Sequence, residues 1–526
     1  MKMKNFNKSC VVAVLTAMSL TSCSDFLEIE PRTQISEDEF YTSENDLDMA
    51  LNAVINETRV RLMEIWAYSS LLSDESETGG GIGEGMYKTK WDTFQYSPTN
   101  SFGSWGYGSW WNEWDFGIYN GVIAANQLLD HIGNSAASAQ YTKAVEAEAR
   151  FWRALNYDYL FMGYEQFPLI TEALTPDEMY NVHKGTREEI YEFLLNDLSD
   201  DYINALPDRD NTPQGRVCKD AAKVLRAKII LFQRDESRYQ QALADMKSII
   251  SSGKYQLIPD YGDIWLHKGE WNSELGHESI FEIAYGDKNG TGNGWSHGLG
   301  PRDLQDPRSA EQGGLWNGYG QNTMPSTVYN MFKEGDTRRE GTVIVMEDEA
   351  KKVEELVANG ELPEGSKLTW SDQQENYEGL FHYKYTPRKE TNGAVDPNQH
   401  AVPFRFYRYA DVLLLATELD ARISGAVSAE TQEYFNQVRR RAFRDNDHDV
   451  SFSGMSKQQI LDRIFEERGY ELLDEMQRWF DIMRFDKGAE ILGSKGWTEK
   501  HRFFPIDQSE IDRSNGNLTQ NPGWAN

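Results

Sequence analysis

Residues 219–232, KDAAKVLRAKIILF, and residues 238–251, RYQQALADMKSIIS, decide the fold of this chain. In the first, Val224, Ala227 and Leu231 recur at helical spacing, and Leu225, Ile229 and Phe232 form a second stripe beside them. An apolar face that wide belongs to a helix packed between two neighbours. The second segment follows after a short break and runs out at Gly253, a helix C-terminal signal. Helix, short turn, helix is an αα-hairpin. The unit recurs downstream, where DVLLLATELDARI (411–423) pairs with AETQEYFNQVRRRAF (429–443). Small residues inside the first helix and an aromatic in the second are the pattern of tetratricopeptide-type hairpins.

Outward from these hairpins the helical signal continues. In EAEARFWRALNYDYLFMGY (146–164), Phe151, Leu155, Tyr159 and Met162 share one face, with Ala147 and Ala154 on the same side. Residues 187–198 read as a further amphipathic helix. Residues 457–485 carry a stripe from Leu461 to Met483 that predicts two helices bent near Gly469. Trp152 and Trp479 sit on such stripes and read as core. These patterns predict a mainly α fold of helical hairpins.

Two stretches lack periodicity and read as long loops. Residues 79–111 open with GGGIGEG and hold Trp91, Trp105, Tyr107, Trp110 and Trp111 among Gly, Ser and Asn. Residues 286–320 contain ten glycines, with Trp295, Trp316 and Tyr319. Loops longer than about 15 residues in a compact domain are mostly functional or disordered, and this aromatic content argues against disorder. Residues 336–400 read as an excursion from the helical body, with KLTWS and LFHYKYT as candidate strands.

Composition narrows the function classes. The 526 residues carry 53 Lys and Arg against 84 Asp and Glu, a formal charge of −31. That balance argues against nucleic acid as the main partner, because phosphate binding needs clustered cations. Three cysteines exclude a disulfide framework and a four-ligand structural zinc site. Cys218 reads as a small buried thiol. No G-x-S-x-G, H-E-x-x-H or C-x-x-C occurs, and neither GGGIGEG nor GTGNGW completes a G-x-G-x-x-G. With 84 acids, close carboxylate pairs such as those in SDESE (73–77) arise by chance, so no enzyme, cofactor or metal is expected. The run Asp445-Asn446-Asp447-His448-Asp449 has acids at calcium-loop positions 1, 3 and 5, but Val450 and Ser456 stand where Gly and Glu are needed. It reads as a polar inter-helix loop.

Residues 1–22 read as a secretory leader. Lys2, Lys4 and Lys8 precede an apolar run of 11 residues, CVVAVLTAMSL (10–20), too short for the roughly 20 that span a bilayer. Leu20-Thr21-Ser22-Cys23 resembles a bacterial lipobox, which implies cleavage before Cys23 and acylation of it. Losing three Lys and no acid takes the charge from −31 to −34. The expected mature protein is anchored by lipid at Cys23 and otherwise soluble.

Taken in order, the lipobox with SDFLEIEP, EAEARFWRALNYDYLFMGYEQFPLI (146–170), GRVCKDAAKVLRAKIILF (215–232), RYADVLLLATELDARI (408–423), NQVRRRAF (436–443), IFEERGYELLDEMQRWFDIMRF (464–485) and HRFFPIDQSEIDRSNGNLTQNPGW (501–524) resemble the SusD/RagB family of outer-membrane nutrient-binding lipoproteins of Bacteroidetes-type bacteria. The resemblance implies a mainly α fold in which tetratricopeptide-like hairpins, four in all, form a scaffold with a loop-rich, glycan-binding face, beside a few short strands. It also implies a lid-like pairing with a SusC-like TonB-dependent outer-membrane transporter. On it, residues 23–270 form an N-terminal region with loop 79–111, and residues 271–526 a C-terminal region with loop 286–320, the two making one body. The function it implies is capture of poly- or oligosaccharide at the cell surface and delivery to that transporter.

Sugar binding gives the loop aromatics a physical role. A pyranose has an apolar face of C–H groups that stacks on a flat ring, and Trp or Tyr supplies that ring with little rotamer entropy to lose. Trp105, Tyr107, Trp295 and Trp316 are the leading platform candidates, converging from two loops on one exposed face. Trp91, Trp110 and Tyr319 are secondary. Trp111 and Trp114 lead into a helix and read as core. The competing reading is a lipid-anchored protein–protein scaffold without glycan binding; scaffolds of that kind bind through concave helix faces, and the Trp-rich loops favour the glycan.

Overall fold

The computed structural model describes residues 40–84, 86–99, 118–266, 271–272, 277–286, 292–390, 400–401 and 403–524. Cys23, Trp105, Tyr107, Trp110, Trp111 and Trp114 lie outside them, as does the side chain of Trp295.

Several of the long helices start where a serine or threonine satisfies an orphan N–H. Helix α1 (Glu44–Leu72) opens with a capping box of Ser43 and Asp46. Then come α2 (Ile118–His131), α3 (Ala139–Tyr164), capped by Ser138, and α4 (Arg187–Asp197), boxed by Thr186 and Glu189. The deciding hairpin is α5 (Lys219–Gln233) and α6 (Tyr239–Ser251), reversed through Arg234 in the left-handed region. The second hairpin is α7 (Tyr409–Ser424) and α8 (Ala429–Phe443), turning at Gly425 with φ 72°. Last come α9 (Lys457–Glu471), boxed by Ser456 and Gln459, and α10 (Arg478–Arg484).

Helices α1, α2 and α3 pack on one another, and α4 packs on α3. Hairpin α5–α6 stacks on α7, which carries α8 on one side and α9 on the other, and α10 returns to α1 and α5. One contiguous apolar core therefore runs from Tyr41 to Trp524, with Trp152 and Trp479 inside it. Each large apolar side chain buried there contributes roughly 1.5–3 kcal/mol. The protein is mainly α. The strands pair antiparallel in twos: β1 (Glu77–Thr78) with β3 (Asn322–Thr323), β2 (Ser279–Ile283) with β6 (Phe404–Arg408), and β4 (Val343–Val345) with β5 (Leu380–His382). None of the described helices is long and apolar enough to cross a bilayer.

The helical segments bury charge together with their apolar residues. Arg408 in β6 reaches Glu278 at 2.5 Å, Glu475 at 2.7 Å and Glu471 at 3.1 Å. Arg441 of α8 pairs with Glu471 and Glu278, and Arg338 joins Asp336 and Glu467, each at 2.7 Å. A second network links Arg468 to Asp411 (2.6 Å) and Asp481 (2.8 Å), with Lys228 on Asp411 and Arg484 on Glu418. Such networks fix which helix meets which, whatever their net stability.

Three expectations need correction. The break in 457–485 falls at residues 472–477, where Asp474 (φ 65°) and Met476 (φ 59°) turn the chain, and not near Gly469. Gly469 stays inside α9; a Cβ there would lie 2.7 Å from Arg478 Nη1, so glycine makes room for a guanidinium. The two long loops contain short helices, Met86–Asp92 and Gly294–Leu299. The excursion holds a full helix, Met346–Ala358, with Met346 and Val353 buried and Ala350, Leu356 and Val357 packed partly buried in the same cluster. Of its candidate strands, LFH is β5, whereas KLTWS supplies only an isolated bridge from Thr369 to Gln305.

Candidate functional site

The two glycine-rich stretches meet. Beyond β1 and β3 the ladder continues: Gly79 N–H donates to Gln321 O at 2.8 Å and Gly80 N–H to Gly320 O at 2.6 Å. A Cβ on Gly79 would overlap that Gly320 oxygen. On its other side the second loop folds onto itself, with Gly320 N–H on Gly300 O (2.9 Å), Gln321 N–H on Gly298 O (2.8 Å) and Gly318 N–H on Pro301 O (2.9 Å). Gly320 sits at φ 59°, hard against Gln374. That region is open to glycine and strained for other residues. A third segment closes the joint: Glu375 N–H donates to Gly80 O at 3.0 Å and Asn376 Nδ2 to Thr78 O at 3.0 Å.

This joint presents aromatic rings. Tyr319 is 44% exposed, its ring edge-on to His297 at 4.2 Å and its N–H on His297 O. Trp316 is half-buried, its N–H on Pro387 O at 2.9 Å and Lys389 Nζ 5.5 Å from its ring centre. Lys389 is fixed by the Asp306 and Arg308 carbonyls at 2.8 and 2.7 Å. Trp295 stands on the short helix 294–299 of the same loop, two residues before His297. Tyr319 and Trp316 thus stand on the loop to which the first loop is hydrogen-bonded, Tyr319 against His297 and Trp316 against Pro387 and Lys389.

Trp91 departs from expectation. It is 1% exposed, in helix Met86–Asp92, packed on Tyr68 (4.9 Å), Tyr96 (5.0 Å) and Phe504 (5.7 Å). It pins the first loop to α1 and the C-terminal tail, and no ligand ring can reach it.

The polar groups around the joint were not singled out by sequence. Arg302 forms a two-bonded pair with Glu84 at 2.7 and 2.9 Å, and Glu84 Oε2 also takes the Gly81 N–H at 3.0 Å. The Arg302 hydrogen bonds hold Glu84 below the usual carboxylate range, helped by that N–H. Beneath, Lys88 donates to Gln321 Oε1 at 2.8 Å, and burial lowers its amine to about 7. No local motif joins residues 84 and 302. The only sequence signal was the glycine density of 79–85.

Other candidate chemistry is accounted for. Ser76 Oγ, His382 Nε2 and Asp474 stand in the order of a hydrolase relay, at 3.3 Å and 2.9 Å. All three side chains are fully buried and Ser76 Oγ also meets Ser70 Oγ, so no substrate carbonyl reaches the hydroxyl. It roots the first loop where β1 begins. In the 445–449 loop, Asp449 is held by Arg440 at 2.5–3.1 Å, and Asp445 by His448 and the Asp447 N–H, each at 2.9 Å. Cys218 is buried at the start of α5, and burial raises its thiol to about 11. Among the described residues no His, Cys, Asp and Glu cluster is placed to hold a metal.

Comparison with known proteins bears on this geometry. Residues 267–496 match the profile described as SusD family, and residues 25–231 the profile described as "Starch-binding associating with outer membrane". Together they leave residues 1–24, 232–266 and 497–526. "SusD-like protein P2" of Formosa agariphila is 26% identical over 99% of this chain and 100% of its own. Surface glycan-binding protein A from Bacteroides fluxus superposes with TM-score 0.75 at 25% identity, over 92% of this chain and 100% of that one. Surface glycan-binding protein A from Bacteroides thetaiotaomicron, in complex with laminarihexaose, gives 0.74 at 26% identity, over 91% and 100%. With both halves matched by profile and the whole helical body reproduced, the chain belongs to the SusD family.

Proposed function

We propose that this protein is a cell-surface glycan-binding lipoprotein. It captures poly- or oligosaccharide on the face built from residues 79–84, 297–321 and 369–376 and delivers it to a TonB-dependent transporter in the outer membrane. The observation that carries the reading is the joint itself. Loops more than 200 residues apart are tied backbone to backbone. The loop so held carries exposed Tyr319 and half-buried Trp316. Rings on a fixed frame suit the apolar face of a sugar, with Lys389 near Trp316 for its hydroxyls. The laminarihexaose complex of the Bacteroides thetaiotaomicron relative makes that β-glucan the first probe. A charge of −34 after leader removal disfavours polyanionic glycans at long range, although screening confines this to about 8 Å. Trp105, Tyr107, Trp110 and Trp295 remain part of the proposed platform, and the lipid anchor at Cys23 part of the proposed localisation.

Titration calorimetry on the soluble Cys23→Ala protein tests the binding. Trp316→Ala and Tyr319→Ala should each weaken affinity roughly tenfold, about 1.4 kcal/mol, with melting temperature unchanged. A lower melting temperature with affinity retained would make these rings structural. Co-purification from solubilised membranes tests the partner. Recovery without a large β-barrel protein, under conditions that preserve such pairs, counts against delivery.

A further inference from the structure

The turn at residues 79–84 is unusual in being both glycine-built and firmly held. Gly79, Gly80, Gly81 and Gly83 fall within five residues. Glycine loses more backbone freedom on folding than any other residue, so such a run is ordered only where something orders it. Here three segments do so. The Gly79 and Gly80 N–H groups are taken by Gln321 and Gly320. Glu375 receives the Gly83 N–H on Oε1 at 2.8 Å while its own N–H bonds Gly80 O. Glu84 holds the Gly81 N–H and is itself gripped by both arms of Arg302. Three charged side chains are thus committed to one short turn.

Between these ties the turn carries one large side chain, Ile82, 71% exposed, the most exposed large hydrophobic residue among those described. A lone surface aliphatic ordinarily needs no explanation. One mounted on a turn clamped on both sides does, because the clamps keep it in water when a freer turn could fold it away. Its position is informative. The antiparallel register, Glu77 opposite Thr323 and Thr78 opposite Asn322, continues to Gly80 beside Gly320, the neighbour of Tyr319. Arg302, whose side chain closes the clamp, is bridged through its backbone to Gly318, the neighbour on the other side.

We propose that the 79–84 turn is a rigid arm that lays Ile82 against the apolar face of a bound glycan next to Tyr319, and that Glu84 and Arg302 are positioning residues that hold this arm. The inference rests on the glycan reading above. The occupant is a sugar because the arm continues the surface that presents Tyr319. A branched aliphatic side chain packs on ring C–H groups as an aromatic does. An arm fixed before the ligand arrives has no loop freedom left to lose on binding, which is the benefit of pre-organisation.

The test is calorimetric titration of the Cys23→Ala protein with laminarihexaose, and with maltohexaose and cellohexaose as comparison probes. Ile82→Ser should weaken binding of the preferred probe three- to tenfold without lowering the melting temperature, since the residue is exposed. Arg302→Ala should weaken it similarly, and Ile82→Ser should add little in that background, because a loosened arm no longer delivers the side chain. The exchanged pair Glu84→Arg with Arg302→Glu should recover most of the loss. If Tyr319→Ala weakens binding but Ile82→Ser does not, the arm is overturned and the glycan face stands. If Ile82→Ser leaves affinity intact and abolishes transporter co-purification, the arm is a protein contact and the proposal fails. If the parent protein binds no probe, both readings fall together.

Discussion

Glu471 shows what a single buried charge does here. Burial raises its pKa, but Arg441, Arg408 and Arg338 outweigh that and hold it at about 2. Glu418 is held at about 2 in the same way, by Arg484 and Arg422. Both sit below the ordinary glutamate value near 4.5, so the unfolded chain takes up these protons first. Their stabilisation is complete above about pH 4.5 and is lost as pH falls toward 2. A melting series across that window should show a steep decline, shallower in Glu471→Gln. Glu471→Ala leaves three guanidiniums short of a partner and should cost about 3–5 kcal/mol in denaturant unfolding. Asp158 has the opposite sign. Burial raises it to about 7, against a partial offset from Lys228, so the folded state keeps a proton that the unfolded state has released. Stability then falls as pH rises from about 4 to 7. Asp158→Asn should recover on the order of 2–4 kcal/mol above pH 7 and almost nothing near pH 4, read from unfolding at the two ends.

At the scale of elements, hairpins α5–α6 and α7–α8 were legible because their burial follows the 3.6-residue period. The end of α6 was legible because Gly253, which takes positive φ, follows it. Helix 346–358 was missed although Met346, Ala350, Val353 and Val357 recur at helical spacing, because that short stripe stands among charged residues in a polar stretch. Gly469 was read as a bend because a lone helix glycine usually marks one; the reason for it, the Arg478 guanidinium pinned to Asp74 at 2.7 and 2.8 Å, lies in a contact with α1's end. Gly469→Ala should cost about 1–3 kcal/mol by overpacking, and much less when Arg478 is already Ala, a coupling that a double-mutant cycle in urea would measure. The site was legible as residue types: Trp316 and Tyr319 stood out in glycine-rich sequence. Trp91 looked the same on paper and differs only through Tyr68, Tyr96 and Phe504, partners of which two are distant in sequence. The Glu84–Arg302 pair spans 218 positions and leaves no local pattern at all.

Across the whole molecule, the proposed anchor and the proposed binding face are separable. Cys23→Ala should leave the protein unlipidated and released from the membrane fraction, with glycan affinity unchanged. Continued acyl labelling of that variant would sink the anchor assignment. For a neutral glycan, affinity should also be flat with salt despite the net charge, because no ion pair forms across the interface. A marked fall between 50 and 500 mM NaCl would point instead to an anionic ligand.

The glycine joint carries one more consequence. Residues 79–80, 320–321 and 375 meet through main-chain atoms, and Gly79 and Gly320 leave no side chain inside the contact. Main-chain hydrogen bonds do not depend on which side chains stand at neighbouring positions. Tyr319, Trp316 and Ile82 can therefore be exchanged without redesigning the frame that presents them. The joint works as a fixed socket with replaceable fittings: the same body can be re-tooled for another polysaccharide by a handful of substitutions at its rim, while a change at Gly320 would spoil every version alike.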